Sequence, residues 1–430
     1  MKPREIRRRS EALVASGEIQ QAGRLLEQAL ALQPFDSDLL IGKANVMLAG
    51  RQYRQAIETL RDVIRRRPDA VDAHFLLGNA YRATRMFHEA ASSYRAVLER
   101  SPTYPGVHHF LGIALQYSDD LPGSAAAYRE AIRRKPELAL LHFRLGSVLH
   151  LLGRHGEAIA AYQEALKREP AHQQALTNLA LALIATERDD EAFEVAQRHV
   201  REHPGQTMAL ANLTFSAIAT GRDEVVRRLL DFERLFGQWS PTVDDQALGP
   251  GLVEVVEAAS PLKNTNQNLY TTRKGFITNE LKWTANSAFG KLHDLLEHRV
   301  SQHLQACTRG DDHPWATHLP ERWQIKVWGN VQQSGGYEDP HCHPRAFASG
   351  VYYLQVPPEI ANEENRPAGW IEIGRGDDSY RYLDPPEKRL IQPSPGLTIL
   401  FPSYFFHRTF PFESETRRIC LPFDVVAASN

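Results

Sequence analysis

His341 and His343, flanking Cys342 and set between Pro340 and Pro344, are the residues whose types and spacing best suit chemistry. Two histidines one residue apart on an extended segment project to the same side, because side chains alternate across a strand with period two. His407, on a later segment, could supply a third imidazole. Three protein ligands that leave positions open make a catalytic metal site rather than a closed structural one, and iron, zinc and copper all accept neutral imidazole. Arg418 lies eleven residues beyond His407. A planar guanidinium binds carboxylate through two parallel hydrogen bonds, so Arg418 could hold an acidic cosubstrate beside the metal. Cys342 should point the opposite way and is not counted as a ligand. Without a metal, the same residues read as loop histidines at 341 and 343 and as His407 packed among Phe405, Phe406 and Phe410.

Composition frames this site. The chain has 430 residues, 42% hydrophobic and 24% charged, enough for two or more domains with formed cores. A formal net charge of -2 gives no global field that would draw nucleic acid or an anionic membrane. Three cysteines, Cys307, Cys342 and Cys420, form no Cys-x-x-Cys pair, which argues for a reducing compartment rather than a disulfide framework. The basic N-terminus runs into no apolar stretch of secretory type, and nowhere do about 18 apolar residues follow one another. A soluble, cytoplasmic protein is the expectation.

The first half must position something by repetition. Pro34, Pro68, Pro102, Pro136, Pro170 and Pro204 stand 34 residues apart. Around them recur small residues (Ala44, Gly78, Gly112, Gly146, Ala180 in one column and Ala22, Ala56, Ala90, Ser124, Ala158, Ala192 in another) and a bulky column, Leu60, Tyr94, Tyr128 and Tyr162. Small residues let helices approach and a ring fills the gap, while proline stops the second helix of each unit. The pattern resembles the tetratricopeptide repeat, a helix-turn-helix unit, over residues 1–238, with six clear copies and a degenerate seventh from Leu210 to Phe236. The basic runs Arg65–Arg67 and Arg133–Lys135 lie at helix C-termini, where they complement the helix dipole and imply no nucleic acid.

From about Ser240 helical periodicity fades. Residues 239–264 read as a linker and 265–430 as a second domain opening with one helix from about Asn279 to Leu304. Short β-branched and aromatic runs then predict strands at Trp323–Val331, Ser349–Val356, Trp370–Gly374, Leu390–Gln392, Leu397–Phe401, Phe405–Thr409 and Arg418–Val426, with loops at Asn362–Pro367 and Asp377–Pro386. Seven short strands imply a sandwich or jelly roll. The fold class is thus α+β multidomain: an all-α solenoid, then a β-domain.

The segments His341-Cys342-His343-Pro344, Ser349-Gly350-Val351-Tyr352-Tyr353-Leu354, Pro395-Gly396 through Phe401-Pro402-Ser403 to His407, and Arg418-Ile419-Cys420-Leu421 occur in that order. Together they resemble the 2-oxoglutarate- and Fe(II)-dependent oxygenases with a double-stranded β-helix core, over about residues 265–426. The resemblance implies His341 and His407 as the two histidines of a facial triad and Arg418 as the clamp on the distal carboxylate of 2-oxoglutarate. His343 stands where the family has a carboxylate, so either three histidines bind the metal, or Asp339 supplies the anion, or metal binding is altered. Cys420 replaces a frequent serine. Only one of Tyr352 and Tyr353 can face the pocket; a phenol there could hydrogen-bond the cosubstrate, and Tyr353 is the candidate. Trp328 and Asn330 share a face as pocket lining or core.

The resemblance implies Fe(II) and 2-oxoglutarate as cofactor and cosubstrate, O2 as co-reactant, and hydroxylation as the default outcome. The repeats suggest a protein or peptide substrate held in their groove. No nucleic-acid or membrane partner is implied. Two other readings stay open: a tetratricopeptide scaffold with a degenerate barrel, supported by His343 and Cys420, and a cupin-like three-histidine metalloenzyme without 2-oxoglutarate, which would not need Arg418.

Overall fold

The computed structural model describes residues 2–262, 271–284, 287–308, 313–374, 385 and 387–428. The chain divides into two compact units, Met1–Ala175 and Leu176–Asn430.

In the first unit helices come in pairs, such as Val71–Ala83 with Phe87–Arg100 and Ala139–Leu151 with His155–Arg168. Each second helix ends two residues before a repeat proline. The intervening residue leaves the helix with φ between -132° and -144°, as proline demands of the residue before it. The small and bulky columns meet as the spacing requires. A Cβ on Gly78 would lie 2.6 Å from the Tyr94 ring, and one on Gly146 would lie 2.7 Å from Tyr162. Tyr94, Tyr128 and Tyr162 are fully buried.

A second periodic feature is less legible in the sequence. Gly17, Arg51, Arg85, Asp119, Gly153, Glu187 and Gly221 all have positive φ and recur every 34 residues, one in each turn between paired helices. The turn fixes the conformation and glycine occupies it only three times, so residue type alone does not reveal it.

The second unit begins with the last repeats. Helix Thr207–Ala219 is buried over nearly its whole length. Its polar residues bond to helix carbonyls: Asn212 Nδ2 donates to Thr177 O at 3.1 Å, Thr214 Oγ1 to Leu210 O at 2.9 Å and Ser216 Oγ to Asn212 O at 2.8 Å. It is buried because the β-region covers it. Thr207 Oγ1 donates to Ala346 O at 2.7 Å, and Phe215 meets Phe406 edge-on at 4.7 Å. Phe232 meets Phe405 likewise at 5.2 Å. The expected boundary at 238 therefore does not coincide with a break in packing. Nor are residues 239–264 a linker: they include helix Val243–Ala258, started by a Thr242/Asp245 capping box. Asp245 accepts from Arg299 Nη2 at 2.8 Å, and its carbonyl accepts from Tyr352 Oη at 2.7 Å.

Among the described residues there are ten strands: β1 (Gly237–Trp239), β2 (Thr272–Ile277), β3 (Trp323–Val327), β4 (Asn330–Glu338), β5 (Ala348–Gln355), β6 (Ile371–Ile373), β7 (Arg389–Ile391), β8 (Thr398–Pro402), β9 (His407–Thr409) and β10 (Arg418–Ala427). One antiparallel sheet runs β1-β8-β5-β10-β4-β2 with β3 beside β10; a second runs β7-β6-β9. The single strand expected over Trp323–Val331 is two, broken at Trp328-Gly329. A Cβ on Gly329 would lie 2.6 Å from Val256, so glycine lets the chain pass close to helix Val243–Ala258 there. β4 then continues to Glu338: it pairs with β2 up to Gln332 and again at Tyr337 and Glu338, with a register shift across the Gln333–Gly336 stretch between. The expected helix from Asn279 starts at Ala288, where Ser287 Oγ accepts from Gly290 N at 3.1 Å and caps it; before that, Leu281 bridges to Val327. The loop expected at Asn362–Pro367 includes a single helical turn, Glu363–Asn365. The loop expected at Asp377–Pro386 lies outside the described residues but for Pro385. No helix among the described residues is long and apolar enough to cross a membrane.

Candidate metal centre

The His-x-His segment is pinned by backbone bonds before its rings do anything. His341 N donates to His407 O at 3.0 Å and His407 N returns the bond to His341 O at 2.9 Å. This isolated antiparallel bridge sets the first and third histidines opposite each other. His343 N donates to Ser403 O at 3.2 Å. The rings converge: centroids are 4.2 Å apart for His341 and His407 and 5.2 Å for each pair with His343. One ring nitrogen of each lies within 4.8 Å of the other two.

The second ring nitrogens fix the tautomers. His341 Nδ1 lies 2.7 Å from Asp339 O, and His407 Nδ1 lies 3.2 Å from Phe405 O. A carbonyl can only accept, so both Nδ1 atoms carry hydrogen and Nε2 keeps its lone pair. His343 Nδ1 faces Asp424 Oδ1 at 2.6 Å. Burial, reinforced by its neighbours His341 and His343, holds the His407 pKa well below the ordinary histidine value. Burial and then His343 lower that of His341. Neutral imidazoles with a free Nε2 are the form that binds metal. The donor set therefore fits a metal ion.

Asp339, the alternative third ligand, does not join this cluster. Its carboxylate pairs with Arg273, and only its carbonyl serves the site, by holding His341. Cys342 also stays out of the cluster, with Sγ 3.7 Å from Met208 Sδ.

A cavity of about 400 Å³ opens from the histidines. Alternation along β10 turns Arg418, Cys420, Pro422 and Asp424 onto its wall, and alternation along β5 does the same for Ser349, Val351 and Tyr353. Arg418 is 2% exposed. Its Nη1 donates to Gly369 O at 2.7 Å, its Nε has no partner, and it pairs with no acid among the described residues. A buried cation without an anion is costly, and an anionic ligand would relieve that cost. Tyr353 packs beside it, ring centroid 5.9 Å from the guanidinium, and burial raises its pKa so the phenol stays protonated. Tyr352 turns away to Asp245, which decides between the two tyrosines. Cys420 is likewise held protonated, pushed up to about 11 by burial.

Trp328 and Asn330 both reach the cavity; the Trp328 ring stacks on His343 with centroids 5.9 Å apart and planes 21° from parallel. Two carboxylates at the cavity escape the sequence reading. Glu338 accepts from Thr271, Thr272, Asn330 and Gln332. It lies beyond a Gly-Gly stretch that hides its strand. Asp424 shares the parity of Arg418 on β10, a signal that was there to be read.

Residues 326–424 match the family described as "Putative 2OG-Fe(II) oxygenase". Residues 41–105, 111–167 and 153–207 match the tetratricopeptide repeat. One chain thus carries tetratricopeptide repeats and a domain of this oxygenase family. Among solved structures it is similar to YrrB, a TPR protein with an unusual peptide-binding site (19% identity, 43% of this chain and 95% of that one, TM-score 0.40). It is also similar to MamA (21%, 39% and 91%, TM-score 0.38) and to MamA 41-end from Desulfovibrio magneticus RS-1 (19%, 40% and 96%, TM-score 0.36). No curated protein matches the chain.

Proposed function

We propose that the chain is a 2-oxoglutarate- and Fe(II)-dependent dioxygenase that hydroxylates a protein or peptide recruited by its helical repeats. The observation that carries this reading is one cavity bearing both three converging imidazoles and a buried Arg418 that pairs with no acid among the described residues. His341, His343 and His407 would hold the metal through Nε2. Arg418 would take the distal carboxylate of 2-oxoglutarate through its fork, and the protonated Tyr353 phenol is placed to donate a further hydrogen bond. Trp328, Val351 and Phe401 give the cavity apolar walls that limit water. When bound, Fe(II) and 2-oxoglutarate supply oxygen activation coupled to release of succinate and carbon dioxide. The chain's own task is to hold, orient and keep dry.

The protein or peptide substrate rests on the repeats, whose stacked helix pairs form surfaces suited to extended chains. Three imidazoles in place of a carboxylate-containing triad also suit a metalloenzyme without 2-oxoglutarate; Arg418 is what favours the cosubstrate.

The test is anaerobic addition of Fe(II) and 2-oxoglutarate to the purified chain. The expected result is a visible metal-to-cosubstrate absorption band, then succinate once oxygen is admitted. Metal bound with neither band nor succinate would leave a scaffold or a different metalloenzyme. A 2-oxoglutarate-dependent mass gain of one oxygen on a peptide that binds residues 1–175 would test the substrate class.

A further inference from the structure

The carboxylate missing from the three-histidine set stands directly behind one of its members. His341 and His407 direct Nδ1 at neutral carbonyls, whereas His343 Nδ1 faces a carboxylate, Asp424 Oδ1, at 2.6 Å. Asp424 is itself held. Its Oδ1 accepts from Ser349 Oγ at 2.8 Å, and Ser349 shares a 2.7 Å hydrogen bond with Ser403 Oγ. Ser403 closes the ring by accepting the His343 backbone N–H. Register explains why these groups meet: Asp424 on β10 lies opposite Ser349 on β5, and Ser349 lies opposite Phe401 on β8, two residues before Ser403.

We propose that Asp424 is a positioning residue of the metal centre, fixing the His343 tautomer and ring plane and supplying from behind the negative charge absent among the ligands. A carboxylate behind a histidine ligand orients the ring and makes the imidazole a stronger donor. A 2.6 Å contact between ring nitrogen and carboxylate is the short, charge-assisted kind. The histidine at the expected carboxylate position is the one backed by a carboxylate, so the charge is displaced by one residue rather than lost. β10 thereby carries two charged groups of the cavity on one face, Arg418 at its start and Asp424 six residues on, roughly 20 Å along the strand. The plain alternative is a structural ion pair that ties β10 to the His-x-His segment and does nothing for a metal.

The inference rests on the metal-centre reading, and one experiment separates their failures. Co(II) is titrated into the metal-free full chain and followed by its visible d–d absorption, with thermal melting of the metal-free protein as the fold control. Asp424→Ala is expected to weaken Co(II) binding about 10–100-fold and to shift the d–d bands. Asp424→Asn keeps an acceptor but no charge and should fall between Ala and wild type. Ser349→Ala, which frees Asp424 from one restraint, should weaken binding several-fold. If Asp424→Ala does not fold, the other two variants carry the test. Wild-type affinity and spectrum in folded Asp424 variants, with only the melting temperature lowered, would make the pair structural and overturn the proposal. Absence of Co(II) binding by the wild type would overturn the metal centre itself.

Discussion

At the scale of single residues, the site separates metal binding from cosubstrate binding, and two substitutions should separate them in solution. His407 is one of three converging rings and only its Nδ1 is hydrogen-bonded among the described residues, so His407→Ala should reduce Co(II) affinity about 100-fold or more, read by titration. Arg418 should behave differently. Its guanidinium is buried with no acid beside it among the described residues, so Arg418→Met should leave the metal-free melting temperature unchanged or raised. Metal affinity should persist, while 2-oxoglutarate binding weakens by about 1.5–3 kcal/mol, or roughly 10–150-fold. A variant that melts several degrees lower yet binds 2-oxoglutarate normally would refute that role. Histidines away from the site give a pH prediction. Burial, with Arg234 and Arg228 adding to it, holds His313 down to about 4, and burial with His203 beside it holds His199 to about 4. Unfolded histidine titrates near 6.5. The unfolded chain therefore takes up protons that the folded chain refuses. The stability is fully present above about pH 6.5 and is lost as pH falls toward 4, on the order of 3 kcal/mol per histidine. Melting of the metal-free protein across that window checks it; a flat profile would contradict it.

At the scale of elements, the 34-residue period specifies two different physical demands, and only one shows in residue type. The crossing of paired helices needs a small residue against a ring, and the sequence displays it openly. Gly78→Ala should cost about 1–3 kcal/mol, since its Cβ would overlap Tyr94. The turn between paired helices needs positive φ, which Arg51, Arg85, Asp119 and Glu187 adopt despite their side chains. Arg85→Gly should stabilise the repeat by about 0.5–1 kcal/mol. Gly153→Ala should destabilise by a similar amount, because nothing lies within 4 Å of its Cβ and only the backbone resists. Denaturant midpoints of the three variants decide the matter. The β-elements show the same split: Arg418, Cys420 and Asp424 share a face by parity alone, whereas β4 resumes its pairing with β2 at Tyr337 and Glu338 only after a glycine-rich irregularity that no local pattern marks as strand.

At the scale of the molecule, the last helical pairs belong with the sheets. Thr207, Phe215, Leu229 and Phe232 contact Ala346, Phe406, Tyr404 and Phe405. A fragment starting at Gln173 should fold and bind Co(II) as the full chain does. One starting at Trp239, the boundary that repeat counting suggests, would expose Phe405 and Phe406 and should aggregate or fail to bind. Equal behaviour of both fragments in size exclusion and titration would show that the helical cover is dispensable.

The sequence by itself determined what depends on near neighbours: the solenoid, from strict recurrence of small, bulky and proline positions, and the pairing of His341 with His343, from alternation. It also located Arg418 and the parity of its strand. Tertiary structure alone decided which distant partners met. The backbone bridge brings His407 to His341, and the β10–β5 register brings Asp424 to His343. Asp339 pairs with Arg273 rather than joining the three imidazoles, and Tyr352 bonds to the Asp245 carbonyl while Tyr353 lines the cavity. Local periodicity fixes which face a side chain takes, but the partner across that face depends on register between strands far apart in the chain.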